Sequence, residues 1–136
     1  MTEIRVIKKR KDFVKVAQKG QKVIQSSLIL QAAFNFNCLH DSFEVGYTAT
    51  KKLGKAHIRN RTKRRLRAIV QELLPSNHLS QVQYVVIGRY NTASCAFDKL
   101  RTDMQYALKK IHKLLQNETS SHEKNLQKTA YRQDGM

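Results

Sequence analysis

Acidic side chains are scarce in this sequence. Asp and Glu total 10 in 136 residues against 26 Lys and Arg, for a formal charge of +16 and a pI near 10.2. A chain so unbalanced cannot neutralise its own surface, and like charge opposes the compact state, so the excess calls for a polyanionic partner. Long apolar runs are also missing: none approaches the roughly 18 to 20 residues that cross a bilayer. No membrane partner is expected. The segment Met1 to Lys11 is charged from the start and lacks the apolar stretch of a secretory signal, which sets the expected location as cytoplasmic. Cysteine is limited to Cys38 and Cys95, far apart, which argues against a disulfide framework or a cysteine-based metal site.

Protein-borne catalysis lacks its usual residues too. His40, His57, His78, His112 and His122 are scattered without metal-ligand spacing, and the carboxylates Asp12, Asp41, Glu44 and Glu72 fall one to an element. Asp98 and Asp103 share the last helix at a spacing that keeps them off one face, so no two-metal nuclease site is expected. Gly54 stands alone among lysines, as in a turn and not a phosphate-cradling loop. No catalytic residue and no protein-held metal is assigned.

What remains is one ordinary core, which 40% hydrophobic content can supply. Phe13, Val14 and Ala17 with Gly20 beyond them predict a short amphipathic helix. Lys22 to Phe36 alternates as a strand in two pieces broken near Ser26 and Ser27, and Phe43 to Thr50 alternates again after a polar turn at Asn37 to Ser42, which predicts a hairpin. A second helix carries Ile58, Leu66, Ile69, Val70, Leu73 and Leu74 and ends at Pro75. Tyr84 to Gly88 reads as a central buried strand, and Tyr84 and Tyr90 as packing residues. Phe97, Leu100, Met104, Leu108, Ile111 and Leu115 form the stripe of a third helix. The apolar period is lost beyond Gln116, so residues 1–115 are expected as one domain and 116–136 as a disordered tail. The order α-β-β-β-α-β-α suits an α+β two-layer sandwich, three helices on a mixed four-stranded sheet.

The sharpest feature lies between Lys51 and Arg67. Lys51, Lys52, Lys55, Arg59, Arg61, Lys63, Arg64, Arg65 and Arg67 occur there with no Asp or Glu. Ile58, Thr62, Leu66, Ile69 and Leu73 take the core stripe, leaving the cations on the exposed arc, with Arg59, Lys63 and Arg67 along one edge. A solvated helix face normally mixes signs, and like charges four residues apart repel, so an external anion is needed. Arginine outnumbers lysine within the helix, and its planar fork suits phosphate and base edges.

Lys51-Lys52-Leu53-Gly54-Lys55-Ala56 followed by Arg59-Asn60-Arg61-Thr62-Lys63-Arg64-Arg65-Leu66-Arg67 closely resembles the signature of the bacterial ribonuclease P protein subunit. The likeness extends over about residues 4 to 115, through Asp12-Phe13, Gly20 and Val45-Gly46 to the closing helix. It implies a ribosomal protein S5 domain 2-like sandwich with a left-handed crossover through the arginine-rich helix. It also implies an auxiliary subunit of an endoribonuclease that removes the 5′ leader of precursor tRNA. The RNA subunit is then the catalyst and the user of Mg²⁺, with one protein per RNA.

Carried onto this chain, the resemblance makes Arg59, Asn60, Arg61, Arg64 and Arg65 contacts to the catalytic RNA. Lys63 and Arg67 fall at the edge of a leader cleft between the first helix and the sheet, and Lys51 and Lys52 add backbone neutralisation. Phe13 matches an aromatic position of that cleft, although a core role fits it equally. Two positions depart from the family pattern: Ala17 and Gln31 stand where relatives often carry aromatics, so hydrogen bonding by Gln31 replaces part of the expected stacking. His57, just before the helix, reads as an ordinary exposed histidine. A ribosomal RNA-binding protein fits the composition as well and would leave ribozyme activity unchanged. A self-sufficient nuclease would cleave without added RNA.

Overall fold

The computed structural model describes the backbone of residues 4–133 and the side chains of residues 4–118. Its elements are β1 (Arg5–Val6), α1 (Arg10–Lys19), β2 (Gln21–Ile24), β3 (Leu28–Phe34), β4 (Phe43–Thr48), α2 (Ala56–Asn77), β5 (Val82–Gly88) and α3 (Phe97–Gln133). The fold is α+β, with three helices on a mixed sheet ordered β1-β4-β5-β3-β2. The two-residue β1, too short to leave a periodic signal, adds a fifth strand by pairing parallel with β4.

The hairpin expected between β3 and β4 is not formed. β5 lies between them, antiparallel to β3 and parallel to β4, and α2 makes the crossover from β4. A polar turn was the only local guide, and it is equally compatible with a chain that leaves room for a later, more apolar strand. The tight turn falls instead at Ser26 and Ser27, where β2 and β3 pair antiparallel.

Alternation along the strands divides the interior in two. Leu28, Leu30 and Ala32 of β3, Phe43 and Val45 of β4, and Val82, Tyr84 and Val86 of β5 face α2 and α3 and form the main core. Ala33 and Val85 face the other way and pack with Ile7 and Val16 beneath α1. The buried side of α1 therefore carries Val16 and part of Phe13, while Val14 and Ala17 are exposed, against the stripe expected from sequence. A Cβ on Gly20 would collide with the backbone carbonyls of Val16 and Ala32, so glycine permits this close approach of α1 to β3.

Buried polar groups are tied off inside the main core. Tyr84 Oη accepts from Leu79 N at 2.9 Å and lies 2.6 Å from His112 Nε2. Burial and the neighbouring His78 lower the His112 pKa to about 4, so its neutral ring accepts the phenol proton. Asp103 of α3 accepts from Ser26 Oγ and from both Ser27 N and Oγ. Thr92 Oγ1 donates to Ser27 O at 2.6 Å, tying the β5–α3 loop to the same turn. Tyr90, expected to pack, is exposed in that loop.

Helix α2 runs through Pro75 to Asn77, because a proline in the last turn forfeits one backbone bond without stopping the two residues after it. Helix α3 runs past Gln116 to Gln133, where an unstructured tail was expected. Loss of the apolar period removed the reason for packing, but residues 116–133 contain neither Gly nor Pro to end a helix already begun. Residues 134–136 lie outside the described residues.

Candidate nucleic-acid interface

Helix α2 is held by its own apolar stripe. Thr62, Leu66, Ile69, Val70, Leu73 and Leu74 are buried, and Thr62 Oγ1 donates to Ile58 O at 2.8 Å. A Cβ on Gly88 would overlap Thr62 Cγ2, so glycine at the end of β5 lets the basic half of α2 lie close against the sheet. With Thr62 and Leu66 inward, the polar side chains of this half of α2 divide by helical geometry into three groups.

The first is the flank of Arg59, Lys63 and Arg67, of which Lys63 and Arg67 reach β4 residues. Lys63 lines a groove of about 360 Å³ with Lys8, Arg10, Phe13, Tyr47 and Thr48. The Arg67 guanidinium lies 5.6 Å from the centroid of the Tyr47 ring. Burial pushes the Tyr47 phenol up to about 12, with Arg67 acting in the opposite sense, so Tyr47 stays a neutral donor beside the groove. Arg59 Nε is buried without a partner.

The second group, Arg61 and Arg65, is turned toward the β5–α3 loop. Arg61 Nε donates to Ala93 O at 2.7 Å. Arg65 donates to Thr92 O at 2.9 Å and Cys95 O at 2.6 Å and lies 5.8 Å from the Phe97 ring centroid. These two arginines thus organise the loop beside α2. Asn60 and Arg64 form the third group and are exposed, as are Lys51 and Lys52 in the 3-10 turn before the helix. His57 is exposed, as expected.

None of the nine cations between Lys51 and Arg67 forms an ion pair among the described residues, and the scarce acids are engaged elsewhere. Glu72 and Asp98 pair with Arg101, and Asp103 with Lys99. Glu44 accepts from Gln83 and Cys38, and Glu118 from Gln21. The positive face of α2 is therefore uncompensated from within, which suits phosphate.

Phe13 is shared between the smaller core and the groove. One side packs on the Ile7, Val16, Ala33 and Val85 cluster and on Gly46, where a Cβ would overlap its ring; another part lines the groove. Gln31 is buried under α1 and is not among the groove-lining residues. Tyr47 and Lys8 join the groove without having been singled out from sequence: Tyr47 read as one more apolar strand position, and Lys8 precedes any periodic segment. Among the described residues no three His, Cys, Asp or Glu side chains converge as metal ligands, and no helix is long and apolar enough to cross a membrane.

Comparison with known proteins gives one consistent family. The model of the family described as Ribonuclease P matches residues 1–112. The chain is 40% identical over 107 residues to the ribonuclease P protein component of Paramagnetospirillum magneticum, covering 77% of this chain and 80% of that one. It is 41% identical over 104 residues to that of Gluconacetobacter diazotrophicus, covering 76% and 88%. Among solved structures, it is similar to the Staphylococcus aureus RNase P protein with a TM-score of 0.65 at 26% identity, over 79% of this chain and 94% of that one. It shares the fold of the Thermotoga maritima RNase P protein with a TM-score of 0.67 at 23% identity, over 79% and 97%.

Proposed function

The chain belongs to the ribonuclease P protein family, and from that membership we propose that it assembles with the catalytic RNA of ribonuclease P and holds the 5′ leader of precursor tRNA for removal. The observation that carries this reading is the uncompensated cationic face of α2 bordering a groove that also contains Phe13 and Tyr47. Asn60 and Arg64, with Arg59, Arg61 and Arg65, meet the RNA subunit. Lys63, Arg67 and Phe13 border the leader, with Lys51 and Lys52 neutralising backbone.

The physical division of labour follows from the side chains. Guanidinium and ammonium groups release counterions from the RNA backbone, a gain that depends on salt and carries no sequence preference. Phe13, half-exposed beside the groove, offers a ring face to an unpaired base, worth about 1–3 kcal/mol. Tyr47, held by Arg67, offers a phenolic donor. The protein supplies binding and orientation, while the RNA, using Mg²⁺, supplies the chemistry, with one protein per RNA in the cytoplasm.

The test is equilibrium binding of precursor and mature tRNA to the reconstituted particle. The chain should raise affinity for the precursor more than for the mature tRNA, and Phe13→Ala should remove about tenfold of that difference. Equal loss for both tRNAs would confine Phe13 to its packing role, and no precursor preference with the unaltered chain would refute the leader assignment.

A further inference from the structure

A second cavity, of about 410 Å³, lies on the α1 side of the sheet, and Lys8 lines both it and the groove described above. Its cationic rim comes from Arg5, Lys8, Lys9 and Lys11. Helix α1 starts there at Arg10 with no side-chain cap on Lys9, so its first backbone N–H groups add positive potential. Asp12 also lines the cavity and opposes that potential, but four cations outweigh it.

The floor has a different character. Gln83 lines the cavity and is 1% exposed, yet its Oε1 has no hydrogen-bond partner. Its Nε2 donates to Glu44 Oε1 at 2.8 Å, which fixes which end of the amide is the unused acceptor. Glu44 Oε1 also takes the Cys38 thiol at 3.5 Å, leaving Oε2. Burial and Glu44 push the Cys38 thiol up to about 11, so it stays a donor to Glu44. A buried amide oxygen left unmatched is costly, which makes it a mark of a missing donor.

Two unused acceptors, Gln83 Oε1 and Glu44 Oε2, thus stand beside a cationic rim. A ligand matching both needs two adjacent donors at one edge and a phosphate within reach of it. Among the RNA bases only guanine has this pattern, with N1–H beside N2–H₂; adenine and cytosine pair one amino group with a ring acceptor, and uracil flanks its one donor with carbonyls. Asn35, whose Oδ1 accepts from Asn37 N, keeps its amide N–H groups for the guanine O6. Exposed Val6 and Leu39 supply apolar walls for the ring.

We propose that this cavity takes one unpaired guanine of a bound RNA strand, its base edge on Glu44 and Gln83 and its phosphates on Lys8, Lys9 and the start of α1. The proposal rests on the RNA-binding reading above and adds a base preference to it. Because Lys8 borders both cavities, one strand can pass from the Phe13 groove into this one.

The test uses the full chain alone and labelled five-residue oligouridylates with guanosine, inosine or adenosine at the centre, followed by fluorescence anisotropy. Guanosine should bind about tenfold tighter than adenosine or uridine, and inosine, which lacks the N2 amine, should lose most of that gain. Glu44→Gln removes one acceptor while keeping a carbonyl for Gln83, and should level the guanosine-to-adenosine ratio whatever it does to overall affinity. Equal affinities across the series, or a ratio unchanged in Glu44→Gln, would overturn the guanine pocket. Guanosine 5′-monophosphate binding as tightly as the guanosine oligomer would overturn the strand assignment. A failure of these arms with precursor preference retained by the particle would leave the leader reading standing.

Discussion

At the scale of single residues, the same side-chain type does different work within one turn of α2. Arg59 and Arg61 differ by two positions, yet Arg59 carries a buried, unpartnered Nε while Arg61 already donates to Ala93 O. Under the proposed function both offer guanidinium nitrogens to phosphate. Arg59→Ala or Arg61→Ala should each weaken binding to bacterial ribonuclease P RNA and reduce the slope of log affinity against log salt by about one. An unchanged slope would remove that side chain from the phosphate contacts.

Asp103 makes an opposite case, an acid whose role is internal. Burial alone would raise its pKa, but hydrogen bonds from Ser27 and Ser26 and the charge of Lys99 outweigh it, and the net shift is downward. A carboxylate with a depressed native pKa contributes stability above its unfolded pKa of about 3.9, lost as pH falls through the native value. Asp103→Asn should melt at lower temperature than the parent at pH 7, and the gap should narrow below pH 4. A gap that stays constant with pH would show that the charge does not contribute.

At the scale of elements, the interface depends on how α2 meets its neighbours. Its position against the sheet uses Thr62 against Gly88, and its flank is tied to the β5–α3 loop by Arg65. Arg65→Ala should destabilise the fold by about 1–3 kcal/mol in denaturant unfolding, because two carbonyls lose charged donors. Arg65→Lys should recover only part of this, since an ammonium cannot reproduce the fork that reaches Thr92 O and Cys95 O together. Full recovery by lysine would reduce the role of Arg65 to charge alone.

The elements also mark what sequence could reveal. The stripes of α2 and α3 were legible because each buries residues at a regular spacing, and β5 because it is apolar on both faces. The partnership of β3 with β5 in place of β4 was not, because pairing across a long connection leaves no local trace. On α1 a ten-residue helix gave too few positions to separate Val16 from Val14. The basic helix was visible as chemistry without geometry: spacing grouped Arg59, Lys63 and Arg67, but the loop contacts of Arg61 and Arg65 required neighbours 27 to 32 residues away. Gln31, drawn into the leader site by resemblance, is buried and does not line the groove, and Tyr47 both packs against the main core, as strand alternation suggests, and lines the groove.

At the scale of the whole molecule, the distribution of acids explains the charge. Those with described side chains are mostly spent on Arg101, Lys99, Ser27, Gln83 and Gln21, away from the cationic stretch between Lys51 and Arg67. The fold therefore keeps a positive surface and lacks a cluster of ligands for catalytic metal among its described residues. Under the proposed function, such a surface extends the contact to substrate and screens phosphate repulsion that Mg²⁺ would otherwise have to screen. The most direct measurement is multiple-turnover cleavage of a precursor tRNA at low Mg²⁺ by bacterial ribonuclease P RNA, by this protein, and by the two together. Efficient removal of the leader only by the mixture is the expected result; cleavage by the protein alone, or a mixture no faster than the RNA alone, would contradict it.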